Sequence, residues 1–217
     1  MRPHASFRRA AALLPAGLLA ALVACSPGSA GPAAGRAVNS ATASASSAAG
    51  FPAEQRRAAM DWAARAGEAP QADRTVLVQS APGNTPRLLW QAQQTGDVCW
   101  AEPAGGSVGD GCLKAADLGA ATAPGLHAFG DALPTADGQL LEVLFRADGE
   151  TVDRLTCGPA EVVPHQVAEF EVNGLRRTFY LAPIDRHTGG TYTAQVHRAG
   201  TTAGDTLLLY ADTRGPC

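Results

Sequence analysis

Gly105-Gly106-Ser107-Val108-Gly109 matches G-x-S-x-G, a pattern that presents a nucleophilic serine on a sharp strand-to-helix turn. No helical pattern follows Ser107, so a surface hairpin loop is the better reading. A histidine serves as general acid or base when a carboxylate or hydroxyl lies within hydrogen-bond reach. His127, His165, His187 and His197 are scattered without H-E-x-x-H or H-x-H spacing and read as surface or loop residues. Asp97, Asp110, Asp131, Asp137 and Asp148 lie next to or near glycines, out of register for a calcium loop, and read as turn formers. Trp90 and Trp100 could offer an aromatic surface to a sugar or peptide. Trp90 shares a face with Leu88 and Ala92, which places it in a core, and Trp100, beside Cys99, is expected to pack on a disulfide. The pattern assigns no catalytic residue, no metal site and no cofactor loop.

The thiols carry more chemistry. Arg2, Arg8 and Arg9 precede an apolar run, Ala10 to Ala24, and no acid occurs before Cys25. A basic start followed by a short apolar run is a secretory signal pattern. The run is about 15 residues, short of the roughly 20 that span a bilayer, and Pro15 weakens it further as a permanent helix. Leu22-Val23-Ala24-Cys25 resembles the lipobox of bacterial lipoproteins. The resemblance covers residues 1–25 and implies diacylglyceryl transfer to the Cys25 thiol, then cleavage that leaves Cys25 as the new N-terminus. Buried acyl chains contribute roughly 0.8 kcal/mol per CH₂, so two chains anchor durably.

With Cys25 lipidated, Cys99, Cys112, Cys157 and Cys217 remain. An even count outside the cytoplasm favours disulfides. Of the three pairings, Cys99–Cys112, closing a Gly-rich loop, and Cys157–Cys217 are expected. A zinc site would need tighter C-x2-4-C pairs than this chain has.

Removing residues 1–24 deletes three arginines and no acid, which leaves 14 basic side chains against 20 acidic ones. That balance disfavours nucleic acid as a partner. Lys114 is the only lysine. Ser26 to Gly50 is mostly Ala, Ser and Gly and cannot bury enough apolar surface to offset its ordering entropy. It reads as a tether with an r.m.s. reach of roughly 28 Å.

The elements that would position these residues begin with a helix over Pro52 to Glu68, started by Pro52 and Glu54 and stopped by Gly67 and Pro70. From Ala72 onward the chain reads as strands and turns. Leu88, Trp90 and Ala92 alternate, as do Leu141, Val143 and Phe145, and Tyr192, Ala194 and Val196. Asn173-Gly174 is the strongest hairpin signal, and Ala147-Asp148-Gly149 has hairpin chemistry leading into Thr151 to Cys157. The fold class expected is mainly β, with antiparallel sandwich or barrel-like sheets and one N-terminal helix. The expected organisation is a signal (1–24), a lipidated Cys with its tether (25–51), a helix plus β-meander (52–120), and a sandwich-like module (121–217).

The ensemble resembles the small lipoproteins of high-GC Gram-positive bacteria. It implies a chain lipid-anchored on the extracytoplasmic face of the cell membrane and carries no known activity; with acid and base candidates isolated, the first reading is a module that binds or scaffolds a cell-wall or surface protein partner. A hydrolase of wall or secreted substrates, with His, Asp or Ser converging in a cleft, and a solute-binding transporter component are the alternatives.

Overall fold

Helix α1 (Ala53–Ala66) begins where Pro52 fixes its φ at −55° and ends where Gly67 turns left-handed at φ 76°. The N–H groups of Gly67 and Glu68 then close on the carbonyls of Ala64 and Ala63. The computed structural model describes residues 50–118, 124–209 and 217, apart from the Asp73 side chain. Cys25 with Leu22, Val23 and Ala24, the signal and the tether up to residue 49 lie outside the described residues. The described residues belong to one compact unit. No helix among them is long and apolar enough to cross a membrane.

Three antiparallel sheets follow. Sheet A is a meander of β1 (Pro70–Val78), β2 (Arg87–Ala92), β3 (Val98–Ala104) and β4 (Ser107–Leu113), paired in chain order. Sheet B contains β5 (Gly125–Ala128), β6 (Leu133–Pro134), β7 (Leu140–Asp148), β10 (His165–Val172) and β11 (Leu175–Asp185). Its order is β10-β11-β7-β5, with β6 also on β7. Sheet C contains β8 (Thr151–Cys157), β9 (Ala160–Val162), β12 (Gly190–Arg198) and β13 (Thr201–Leu209), ordered β13-β12-β8-β9. The sheets stack as sandwiches and none closes into a barrel.

Alternation within each strand decides what each face covers. Leu141, Val143 and Phe145 of β7 pack with Tyr180, Ala182 and Ile184 of β11 against Leu155, Tyr192, Ala194 and Val196 of sheet C. The intervening Leu144, Phe179 and Leu181 pack the other way, against Val78, Leu89 and Val98 of sheet A. Sheet A in turn lays Leu88, Trp90, Ala92, Cys99 and Ala101 against Ala59 and Ala63 of α1. The order of layers is therefore α1, A, B, C. Both faces of sheet B are covered, and the face toward sheet A also holds the buried charges Glu142, Arg146, Asp148 and Arg177.

The Asn173-Gly174 turn is the hairpin its sequence calls for, with φ of 54° and 72° joining β10 to β11. The 147–149 turn departs from expectation. β7 pairs with β11 and β5, while β8 pairs with β12 and β9. Gly149 thus carries the chain across from sheet B to sheet C and makes no hairpin. Its N–H bonds to the Arg176 carbonyl at 3.0 Å, which fixes the crossing to β11.

Candidate functional site

The β3–β4 hairpin turns on Gly105 and Gly106, both at positive φ, with Ala104 opposite Ser107. Ser107 Oγ donates to the Ala104 carbonyl at 2.6 Å, so the G-x-S-x-G match is a turn. A two-residue turn makes the flanking pair hydrogen-bonded, and alternation then fixes the ladder. Ser107, Gly109, Gly111 and Leu113 bond to β3. Val108, Asp110 and Cys112 occupy the alternate positions and aim their backbone N–H and C=O outward. Pro103, which has no N–H, stands opposite Val108, as this register requires.

β4 is an edge of sheet A. Beside it runs α1, and between them lies a groove of about 800 Å³. Its helical wall includes Pro52, Gln55, Ala58, Trp62 and Arg65, and its strand wall includes Val108 and Asp110. A helix span from 52 to 65 makes the groove roughly 20 Å long. Gln55 Oε1 is buried in the wall with no hydrogen-bond partner among the described residues. Burial raises the Asp110 carboxyl above its ordinary pKa, and no ion pair to it is found among the described residues.

Cys99 and Cys112 face each other across β3 and β4 and form a disulfide, and Cys157 is joined to Cys217. Beyond the first pair, buried Glu68 and Asp97 share the ammonium of half-exposed Lys114, at 2.5 and 2.9 Å. Thr95 Oγ1 donates to Glu68 at 2.7 Å, and the Ala115 N–H donates to Asp97 at 2.6 Å. Burial would raise Asp97, but the Ala115 N–H and Lys114 outweigh it and hold Asp97 below its usual pKa. Glu68 and the two sulfurs of Cys99 and Cys112 lie within 4.8 Å of one another. Sulfurs bonded to each other are not thiolates, so this set does not suit a metal in the oxidised protein.

Trp90 is fully buried against α1, its Nε1 donating to the Glu68 carbonyl at 2.8 Å. Trp100 contradicts the sequence expectation: one residue beyond Cys99, it points to the opposite face and meets Phe129 edge-on at 5.0 Å. Two of the aspartates read as turn formers are instead buried partners of cations. Asp97 holds Lys114, and Asp148 lies between Arg146 and Arg177 at 2.8 and 2.6 Å. Asp110 lies within β4, while Asp137 does cap a turn, accepting from Thr135 Oγ1 at 2.6 Å.

His127 is half-exposed, 3.4 Å from Asp148, with its pKa lowered by burial and then by Arg146. His165 is exposed at the start of β10, and His187 sits in the turn after β11. His197 Nε2 is 2.8 Å from Asp153, and its Nδ1 is 3.4 Å from Thr202 Oγ1. That order of groups is the one a nucleophile relay uses. These three side chains stand on the outer face of sheet C and do not line the α1/β4 groove.

A second hollow, about 530 Å³, is lined by Gln79, Pro82, Asn84 and Pro103 among others. Behind it Glu142 is buried, accepting from Asn84 Nδ2 at 2.5 Å and from Ser80 Oγ. Burial raises the Glu142 pKa, against the pull of Asn84 and Arg87. Asn84 Oδ1 accepts from the Ala136 N–H at 2.8 Å, which ties the 79–86 turn to sheet B.

The α1/β4 groove was not singled out from sequence. Asp110 reads there as a turn former beside glycine. A strand interrupted by two glycines beside a tryptophan-bearing helix was the available signal. Comparison with known proteins adds nothing to this geometry: no family model, no curated protein and no solved structure matches the chain.

Proposed function

We propose that this chain is an exported binding module, held by lipid on Cys25 at the extracytoplasmic face of the cell membrane, that engages a cell-surface partner through the α1/β4 groove. The observation that carries the binding half is a strand edge unpaired among the described residues, beside a groove that holds Trp62 and a Gln55 oxygen without a hydrogen-bond partner among them. The lipobox pattern at Leu22 to Cys25 supports the anchor. Pro52, where the tether enters α1, also lines the groove, so the ligand seat lies beside the attachment point.

The test has two arms. Cys25→Ala should release the protein from the membrane fraction or leave it unprocessed; retention by an acyl linkage without Cys25 overturns the anchor. A photo-crosslinking amino acid placed at Trp62, Ala58 or Val108 on intact cells should give a discrete adduct, absent when the reporter is moved to Thr193 on sheet C. No adduct from any groove position overturns the binding seat.

A further inference from the structure

We propose that the groove takes an extended peptide carrying Lys or Arg, which adds to β4 as a further strand and sets its cation against Asp110. This inference rests on the groove being the binding seat. Main-chain recognition follows from the ladder derived above: Val108, Asp110 and Cys112 offer three outward N–H and three outward C=O groups at alternate residues. Exposed edges are ordinarily guarded by proline, bulges, shortness or inward charge. β1, the other edge of sheet A, starts at Pro70 and has a register shift between Pro70 and Thr75. β9, an edge of sheet C, has three residues. β4 has neither a proline nor a register shift, and its one guard is the inward charge of Asp110, which a cation on an added strand would neutralise.

Size and charge select the occupant. A groove of roughly 20 Å holds about six residues of extended chain. On β4, Val108 and Cys112 face α1, so Asp110, two residues from each, faces the groove as well. The residue paired with Asp110 on an added strand would point its side chain to the same face. Asp110 and Glu54 line the groove with no ion-pair partner among the described residues and outnumber Arg65, the one cation of that lining, so the side chain set against Asp110 is a cation. The same charge argues against a second copy of β4. A two-fold pairing centred on Asp110 would set two carboxylates opposite each other, which is unfavourable. A sugar would meet Trp62 but leave the three N–H groups without the regular spacing of a peptide's carbonyls.

The probe is the capped hexapeptide Ac-Thr-Val-Thr-Arg-Thr-Val-NH₂, whose Val, Arg and Val side chains share one face. Amide exchange is read by NMR on the whole protein. In the free protein the Val108, Asp110 and Cys112 amides should exchange fast while Gly109 and Gly111 are protected. Millimolar peptide should slow the first set at least about tenfold, a change of roughly 1.4 kcal/mol. N-methylation of the Val and Arg amides should abolish this protection, and N-methylation of the Thr amides should leave it. Glu in place of Arg, or Asp110→Asn in the protein, should weaken binding about fivefold or more. Equal binding by both methylated peptides overturns strand addition, and equal binding by the Glu peptide overturns the cation. No protection at saturation, while cells still give a groove adduct, overturns the peptide but leaves the groove standing. Loss of both results removes the groove reading as well.

Discussion

The indole of Trp100 on β3 lies so close over Gly111 on β4 that a β-carbon at residue 111 would sit 2.6 Å from the ring. The two residues are directly paired, so the ring uses the space a side chain would otherwise fill. Trp100 also meets Phe129, which meets Phe179, at 5.0 Å each. Gly111→Ala must therefore push the indole out of that aromatic row. Overpacking of this kind costs about 1–3 kcal/mol. A fall of several degrees in Tm by calorimetry, with loss of near-ultraviolet dichroism from Trp100, is expected; an unchanged Tm would show that the ring moves freely.

Lys114 bridges two buried carboxylates, which makes its charge a condition of theirs. Its own pKa is raised by Glu68 and then Asp97, so its contribution is present below its ordinary value and lost only as strongly alkaline pH passes the raised one. Asp97 is depressed, so its contribution is present above the ordinary carboxylate value and lost as pH falls through the lowered one. Lys114→Gln should reverse the acid-side trend. Asp97 would then lose the cation that favours its charged form while staying buried beside Glu68, and Tm should fall as pH rises from about 4 to about 7. A variant whose Tm tracks the wild type across that window contradicts the shared-cation account.

Glu142 has the opposite sign. Its raised pKa means stability that is fully present below the ordinary glutamate value and lost as pH climbs through the raised one. Glu142→Gln removes the buried charge and retains an oxygen that can accept from Asn84. Its Tm should vary less with pH just above the ordinary glutamate value, and at neutral pH should equal or exceed the wild type's. A markedly lower neutral Tm would show that ionised Glu142 is needed by Ser80, Asn84 and Arg87.

The two disulfides close loops of different length, with sequence separations of 13 and 60. By the chain-entropy model they contribute about 3 and about 4 kcal/mol. Replacing Cys157 and Cys217 together by Ser should thus cost more than replacing Cys99 and Cys112 together by Ala, measured by urea denaturation. The reverse order would mean that packing of Cys99 and Cys112 against α1 outweighs loop closure.

Much of the fold was legible because its signals are local. Gly67 stops α1, Asn173-Gly174 makes a hairpin, and alternation in β7 and β12 marks their inward faces. Turn chemistry, however, sets a bend and not the destination of the next strand. Ala147-Asp148-Gly149 looks like a hairpin for that reason and is a crossing between sheets. Glu142 falls on the face of β7 opposite Leu141, Val143 and Phe145, where alternation alone predicts exposure. It is buried because the 79–86 turn of sheet A covers it through Ser80 and Asn84, a relation between segments about 60 residues apart that periodicity does not encode. The groove was hidden for the same reason: its walls come from α1 and β4, and only the packing of α1 on one face of the disulfide-linked β3–β4 hairpin brings Trp62 near Asp110.

Sheet B has consequences in time as well as space. Its strands come from two separate stretches, β5 to β7 and β10 with β11, and β8 and β9 leave for another layer between them. Sheet A can assemble from neighbouring hairpins, but the middle layer must wait for a distant return of the chain. Such non-local closure slows the search for the native state, commonly to milliseconds or seconds. Until β11 joins β7, the apolar flanks of both remain wet and adhesive, so refolding yield should fall as protein concentration rises.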